Sequence, residues 1–337
     1  MDGAPDAGYG AARPTLRQVA AEAGVSLKTA SRVLNGHPHV TEATAARVRE
    51  AADRLGFRLN RIARELRSGA TSTSVGLIIS DLANPFYSRV ARGAERVLRA
   101  GGLQLVTAST DEDAAQERSL VEELLERRVR ALLLVPSGAD HGYLAAERGR
   151  IPVVFLDRPP VHLDADTVLV DNRSGARDAV AHLLAGGHRR IGLVGDLSRL
   201  STHRERMAGF ADAMTAAGIT FWERYVRADS HDAATATRST AELLATDPPP
   251  TALFTTNNVN TAGALRALAG LVEPPALVGF DDFDLADVLG ITVVGHEPEE
   301  MGRIAAEMVV ARLAGDDSPA RTVVLPTHLI PRGSGER

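Results

Sequence analysis

A chain of 337 residues has room for a small domain plus one large or two medium ones, and 44% hydrophobic with 24% charged residues describes a globular protein with a real core. The lack of cysteine excludes disulfides and thiolate chemistry. The net charge of −5 hides an asymmetry: residues 1–70 carry 11 Lys and Arg against 7 Asp and Glu, leaving 27 against 36 for the remainder. That is the pattern of a basic N-terminal unit meeting a polyanion, joined to an acidic body with a different task.

The first residues, MDGAPDAGYGAAR, lack the apolar core of a signal peptide, and no apolar run approaches the roughly 20 residues of a membrane helix. A cytoplasmic protein that engages no membrane is expected. Thr15 precedes the periodic run Leu16, Val19 and Ala20 and has Gln18 three residues on, a capping-box signature, and Gly24 stops that helix. Ser26 is placed to cap a second helix, Leu27 to Asn35, with Ala30, Val33 and Leu34 inward. Thr41 is placed to cap a third, with Ala45, Val48, Ala51 and Leu55 inward and Gly56 as its terminator. Two short helices joined by a glycine turn and braced by a third make a helix-turn-helix unit. In such a unit the N-terminal residues of the second helix touch base edges in the major groove. Leu27, Lys28 and Arg32 point away from the apolar face, and Lys28 is the sole lysine of the chain. An ammonium can donate to guanine O6 and N7 as a compact, flexible charge.

From Val75 onward, short apolar runs alternate with amphipathic helical stretches such as Ala114–Arg128, Arg173–Ala185 and Thr202–Ala217. The runs VGLIIS, LQLVTAS, ALLLVP, PVVFLD, RIGLVGD, TALFTT, ALVGFD and ITVVG read as strands of parallel sheets covered on both faces. Their number suits two doubly wound lobes, with ligands bound beyond the carboxyl ends of the strands.

The segment 15–69 resembles the N-terminal part of the lac repressor (LacI/GalR) family of bacterial transcription regulators. The likeness is carried by Ala23-Gly24-Val25-Ser26, Thr29 and Ser31-Arg32-Val33-Leu34-Asn35, and it extends to residue 333. The resemblance implies a helix-turn-helix domain over 13–59, a hinge helix over 60–70, and a body over 71–337 that binds an effector and dimerises. Leu27 and Lys28 then occupy the variable base-reading positions and Arg32 the third, with Thr15, Ser26, Thr29, Ser31, Asn35 and His39 also at the DNA. In the hinge, Asn60 can cap a helix from Arg61 to Arg67 that is too short to be stable alone. By resemblance it folds when two copies pack in the minor groove, with Leu66 wedged between base pairs, Arg61 and Arg64 along the phosphates, and Ala63 among the contacts. Leu59 departs from the family's usual proline.

The body, by the same resemblance, is like a periplasmic sugar-binding protein: two lobes joined by crossovers near Arg158–Leu163, Ala286–Gly290 and Leu325–Pro326, with a cleft between them. Residues following strands are expected to line it: Asp81, Asn84 and Phe86 around the family's NPF motif, Asp157, Arg158, Asn257 and Asp281. Arg206 stands in RMAGF, where the family places an effector-binding arginine, and His296 is an expected extra contact. Carboxylates, amides and an arginine around a ring suit a polyol, because each hydroxyl both donates and accepts. Two departures are notable: Asn257-Asn258 stands where the family has Asn-Asp, and Ala228-Asp229-Ser230-His231 lacks the usual aromatic.

The expectation is therefore a sequence-specific transcriptional regulator, most simply a repressor. It would bind a palindromic operator as a homodimer, since no C-terminal heptad run points to a tetramer, and answer to a small sugar-like effector. No cofactor, no metal and no catalysis are expected. An enzyme is the first rival, but G-x-S-x-G, G-x-x-x-x-G-K and H-E-x-x-H are all absent. A periplasmic solute-binding protein is the second, and it would need an export signal and no basic helix-turn-helix.

Overall fold

The computed structural model describes residues 14–37, 40–57, 72–138, 140–147 and 149–336. Its internal contacts divide the chain into two compact units, Met1–Ser72 and Thr73–Arg337. His39 and the five hinge residues Asn60, Arg61, Ala63, Arg64 and Leu66 lie outside the described residues.

The first unit holds α1 (Leu16–Glu22), α2 (Leu27–Leu34) and α3 (Glu42–Arg54). Thr15 and Gln18 form the capping box, the Thr15 hydroxyl accepting from Gln18 N at 3.4 Å and Gln18 Oε1 accepting from Thr15 N at 2.7 Å. Ser26 Oγ accepts from Thr29 N at 3.1 Å and starts α2. Thr41 behaves differently from the sequence expectation: it holds the N-cap position, but its hydroxyl pairs with Thr44 Oγ1 at 2.9 Å and caps no backbone N–H. The three helices close on Val19, Ala30, Val48 and Ala51, all fully buried.

The second unit contains two six-stranded sheets. The first is built from β1 (Ser74–Ile79), β2 (Gln104–Ser109), β3 (Ala131–Leu134), β4 (Val153–Leu156), β5 (Asp166–Val170) and β11 (Thr322–Leu325), in the order β11-β5-β4-β3-β1-β2. The second comprises β6 (Ile191–Val194), β7 (Val226–Arg227), β8 (Ala252–Thr255), β9 (Ala276–Phe280), β10 (Thr292–Gly295) and β12 (His328–Ile330), in the order β12-β10-β9-β8-β6-β7. All pairings are parallel except β12 with β10. Helices α4 (Pro85–Ala100), α5 (Ala114–Glu126), α6 (Asn172–Ala185), α7 (Ser201–Ala216), α8 (Ala233–Leu244), α9 (Asn258–Leu268) and α10 (Pro298–Leu313) cover the faces. Continuous apolar strands such as Ala131–Leu134 follow from burial on both faces.

Two of the three expected crossovers are displaced. Residues 158–163 stay inside the first lobe, because β5 follows them in the first sheet, and the chain crosses only after Val170, into α6. Residues 286–290 join β9 to β10 within the second sheet, and the return runs through His296 and Glu297 into α10, which packs on α4. The third passage lies between β11 and β12, at Pro326–Thr327. The contact of α10 with α4 depends on glycine at both helices: a Cβ on Gly93 would meet the Glu299 carbonyl oxygen at 1.9 Å, and one on Gly302 the Val90 carbonyl oxygen at 1.9 Å. Among the described residues no helix is long and apolar enough to cross a membrane.

Candidate functional sites

The two lobes enclose a cavity of about 230 Å³ at the carboxyl ends of the strands. That is below the ~300–1,000 Å³ of drug-sized sites, so it suits one small effector. A larger cavity of 580 Å³, lined by Pro152, Val153, Asp166 and Ala320 among others, sits at the opposite strand ends, away from where doubly wound sheets bind ligands. Asp81, Asn84, Phe86, Asp157, Arg158, Arg206, Asn257 and Asp281 all line the smaller cavity. The sequence reading missed Tyr87, Asp111, Glu112, Asp196, His231 and Asp232, which line it too. A signal for these existed: acidic residues terminate one strand after another, in TASTDED, LVGD, VRAD and GFDD.

Several of these acids carry unusual backbone geometry. Asp111, Glu112, Asp157, Asp229 and Asp281 all have positive φ, between 52° and 69°. Left-handed non-glycine residues cost on the order of 1–3 kcal/mol each and persist where surrounding structure enforces them. Asp111, Glu112, Asp157 and Asp281 line the cavity, whereas Asp229 turns to Ser198, accepting from its N at 2.8 Å and its hydroxyl at 3.1 Å.

On the first lobe Arg158 locks the wall. Its Nη1 donates to Glu112 Oε2 and to the Pro136 carbonyl, both at 2.8 Å, and its Nη2 donates to Glu112 Oε1 at 2.6 Å and the Tyr87 hydroxyl at 3.4 Å. Four of its five donors are thus consumed. Only Nε lacks a hydrogen-bond partner, 3.5 Å from Asp157 Oδ2. Arg158 thus lines the cavity while also tying its wall together. Burial pushes the Tyr87 phenol well up, so it stays a neutral donor, and burial also raises the Asp157 carboxyl despite Arg158 beside it.

On the second lobe Arg206 is buried in α7. It donates through Nε to Asn172 Oδ1 at 2.7 Å, through Nη1 to the Thr256 carbonyl, and through Nη2 to Asp281 Oδ1 at 3.5 Å, while its guanidinium lies 3.7 Å from the centre of the Phe280 ring. Burial would raise the Asp281 pKa, but Arg206 and His296 outweigh it and hold the carboxyl below its ordinary value. His296 does not line the cavity. It sits behind Asp281, with Nε2 at 3.0 Å from Oδ1, and its ring packs against Phe86. The expected effector contact of His296 is thus not seen at the cavity wall; its ring nitrogen is engaged with Asp281 just after β10. The neighbouring Asp282 turns to Arg332 at 2.7 and 2.9 Å, so the DDFD run does not gather its carboxylates into one site.

The remaining wall is a relay. Asp196 Oδ1 lies 2.9 Å from His231 Nδ1, and Oδ2 accepts from Asn257 Nδ2 at 2.9 Å. The hydrogen bond to Asp196 raises the His231 pKa. The ring missing from the usual aromatic position is thus partly replaced by an imidazole.

In the first unit, Leu27 (48% exposed), Lys28 and Arg32 share the solvent side of α2. Thr29 is tied to the Ser26 cap, with the two hydroxyls 2.9 Å apart. The Asn35 amide donates to the Ser31 carbonyl at 2.7 Å and its hydroxyl at 3.2 Å, so these two expected DNA contacts are engaged with each other.

Residues 15–60 match the family described as bacterial regulatory proteins, lacI family, and residues 180–335 match a periplasmic binding protein-like domain. The HTH-type transcriptional regulator PtxS of Pseudomonas aeruginosa is 36% identical over 332 residues, 96% of each chain. The chain belongs to the lacI family. A lacI-family protein is a transcription regulator, which removes the enzyme and solute-binding alternatives. Two solved structures extend the likeness across the whole chain. The transcriptional regulator CelR–cellobiose complex has a TM-score of 0.70 and 31% identity, over 96% of this chain and 100% of that one. The lac repressor dimer bound to operator and the anti-inducer ONPF has a TM-score of 0.77 and 25% identity, over 97% and 100%.

Proposed function

We propose that this lacI-family regulator is a cytoplasmic repressor that binds a palindromic operator as a homodimer through Leu27, Lys28 and Arg32. An uncharged polyhydroxylated effector, a sugar or sugar derivative, held between the lobes sets its operator affinity. The relatives support the outline: one is solved with cellobiose, another as a dimer on its operator. The charge of the effector follows from one observation. Seven carboxylates line the cavity against two guanidinium groups, Arg158 and Arg206, each already paired with a carboxylate.

A bound carboxylate or phosphate would meet uncompensated negative charge in a partly desolvated site, whereas hydroxyls donate to the carboxylates and accept from the remaining N–H groups. Isothermal titration of the full-length protein with matched sets, each a neutral sugar, its aldonate and its phosphate, tests the reading. The neutral member is expected to bind in any set that binds at all. An acid or phosphate that binds as tightly as its neutral parent sinks it.

A further inference from the structure

Two second-lobe side chains that do not line the cavity, Arg199 and Asn258, reach across the cleft to the first lobe. Arg199, between β6 and α7 on the second lobe, donates through Nη2 to the Glu112 carbonyl at 2.7 Å and through Nη1 to the Ser137 carbonyl at 3.0 Å, both on the first lobe. Its Nη1 also lies 3.7 Å from Glu112 Oε2. Elsewhere along the cleft, Asn258 Nδ2 at the start of α9 donates to Asn84 Oδ1 at 2.9 Å, again from second lobe to first. We propose that Arg199 and Asn258 form a clasp that sets the balance between open and closed lobes, and through it the response to effector.

The receiving groups make the clasp informative about the site. Glu112 and Asn84 both line the cavity, while Arg199 and Asn258 do not. Glu112 belongs to the corner of two consecutive left-handed residues, Asp111 and Glu112, and its carboxylate accepts from Ser80 Oγ at 2.5 Å and from Arg158. Asn84 caps α4, its Oδ1 also accepting from Phe86 N at 3.0 Å. Each half of the clasp therefore closes on a wall that is already rigid, so that closure brings two formed surfaces together.

The chemistry suits a reversible contact. The Arg199 side chain is 47% exposed, and its principal acceptors are main-chain carbonyls that water can hydrate when the lobes part. A buried ion pair in this place would leave an unpaired charge on opening. Asn258 stands where an aspartate is usual in the family. Its amide can donate to Asn84 Oδ1, whereas an ionised carboxylate would face that oxygen as a second acceptor.

The chain contains no cysteine, so two introduced ones label cleanly. Nitroxides at Glu122→Cys on α5 and Val272→Cys, both exposed, report the distance between lobes by double electron–electron resonance. Labelled full-length chain is diluted with unlabelled chain so that each dimer carries one labelled copy, and no ligand is added. Wild type is expected to give mainly the shorter distance. The double variant Arg199→Ala, Asn258→Ala is expected to move on the order of tenfold in population toward a longer one, and Arg199→Lys to recover part of the shift. Coinciding distributions for wild type and double variant overturn the clasp. Should the double variant lose its cooperative melt, Arg199→Ala and Asn258→Ala taken singly are judged by the same criterion.

The consequence for DNA rests on the regulator reading above and is separable from the clasp. Affinity for an operator selected from random DNA should shift with the distance populations. An unchanged affinity alongside a changed distance overturns the proposed coupling to effector response, while the clasp itself stands.

Discussion

His296 Nε2 lies 3.0 Å from Asp281 Oδ1, tying the crossover after β10 to the carboxylate that ends β9. Asp281 is thus held from two sides, by His296 and by Arg206, in a left-handed backbone conformation at φ 69°. A supporting residue of this kind acts through the group it orients.

His296→Ala is therefore expected to weaken effector binding by about tenfold, the worth of one net hydrogen bond of roughly 1.4 kcal/mol, while operator binding without effector stays unchanged. Asp281→Asn should weaken binding further. The double variant should be no worse than Asp281→Asn alone, since one path is being cut twice. Calorimetric titration of the four proteins decides it: additive losses would restore His296 to direct ligand contact.

The His231–Asp196 pair predicts a pH signature. His231 has a raised folded-state pKa, caused first by its hydrogen bond to Asp196. Its contribution to stability is complete below the unfolded value of about 6.5 and disappears as pH rises through the folded value. His203 is shifted down by burial and works in the opposite sense, so the readout must be a difference between variants. Wild type should out-melt His231→Gln at pH 6 by on the order of 1 °C, a small margin because the ring is only half buried, and the difference should vanish by about pH 9. A gap that is constant across that range would remove the ionic part of the pair.

Eight of the twelve strands among the described residues were visible in sequence: seven are apolar runs, because parallel strands buried on both faces have no polar side to break them, and the edge strand β2 shows as the mixed run LQLVTAS. The four missed, β5, β7, β11 and β12, are short or lie at or next to a sheet edge, and their sequences DTVLV, VR, TVVL and HLI carry too little signal. Missing β5 moved the first expected crossover too early. The cleft residues most legible in sequence were those on recognisable motifs, Asn84, Phe86 and Arg206. Asp111, Glu112 and Asp196 were not, because their place at the cavity depends on where each strand stops and on left-handed corners that a sequence does not announce.

Lys28 carries the DNA prediction. It stands in the first turn of α2 beside Leu27, on the exposed side. Lys28→Ala should change which base is preferred at one position of each half-site, costing roughly 1–3 kcal/mol against the cognate base. Selection of bound sequences from random DNA by both proteins checks it. Weaker binding with an unaltered preference would make Lys28 a phosphate contact.

Arg206 joins the switch to the stability of the fold. Its guanidinium bonds Asn172, the Thr256 carbonyl and Asp281 and covers Phe280, all within a buried site. Arg206→Ala removes the partner of a buried carboxylate, and breaking such a pair costs about 3–5 kcal/mol. The variant is therefore expected to melt earlier as well as to lose its response to effector, while still binding operator at temperatures where it is folded. Adding Asp281→Asn takes away the stranded charge, so the double variant should regain much of the lost stability and none of the response. A 100-fold effect of effector on operator affinity corresponds to about 2.7 kcal/mol of coupling, and the proposed function assigns part of it to this arginine, which lines the cavity. Thermal melts and operator titrations, with and without effector, separate the two effects. An Arg206→Ala protein that responds normally, or one that is folded yet fails to bind operator, would place the switch elsewhere.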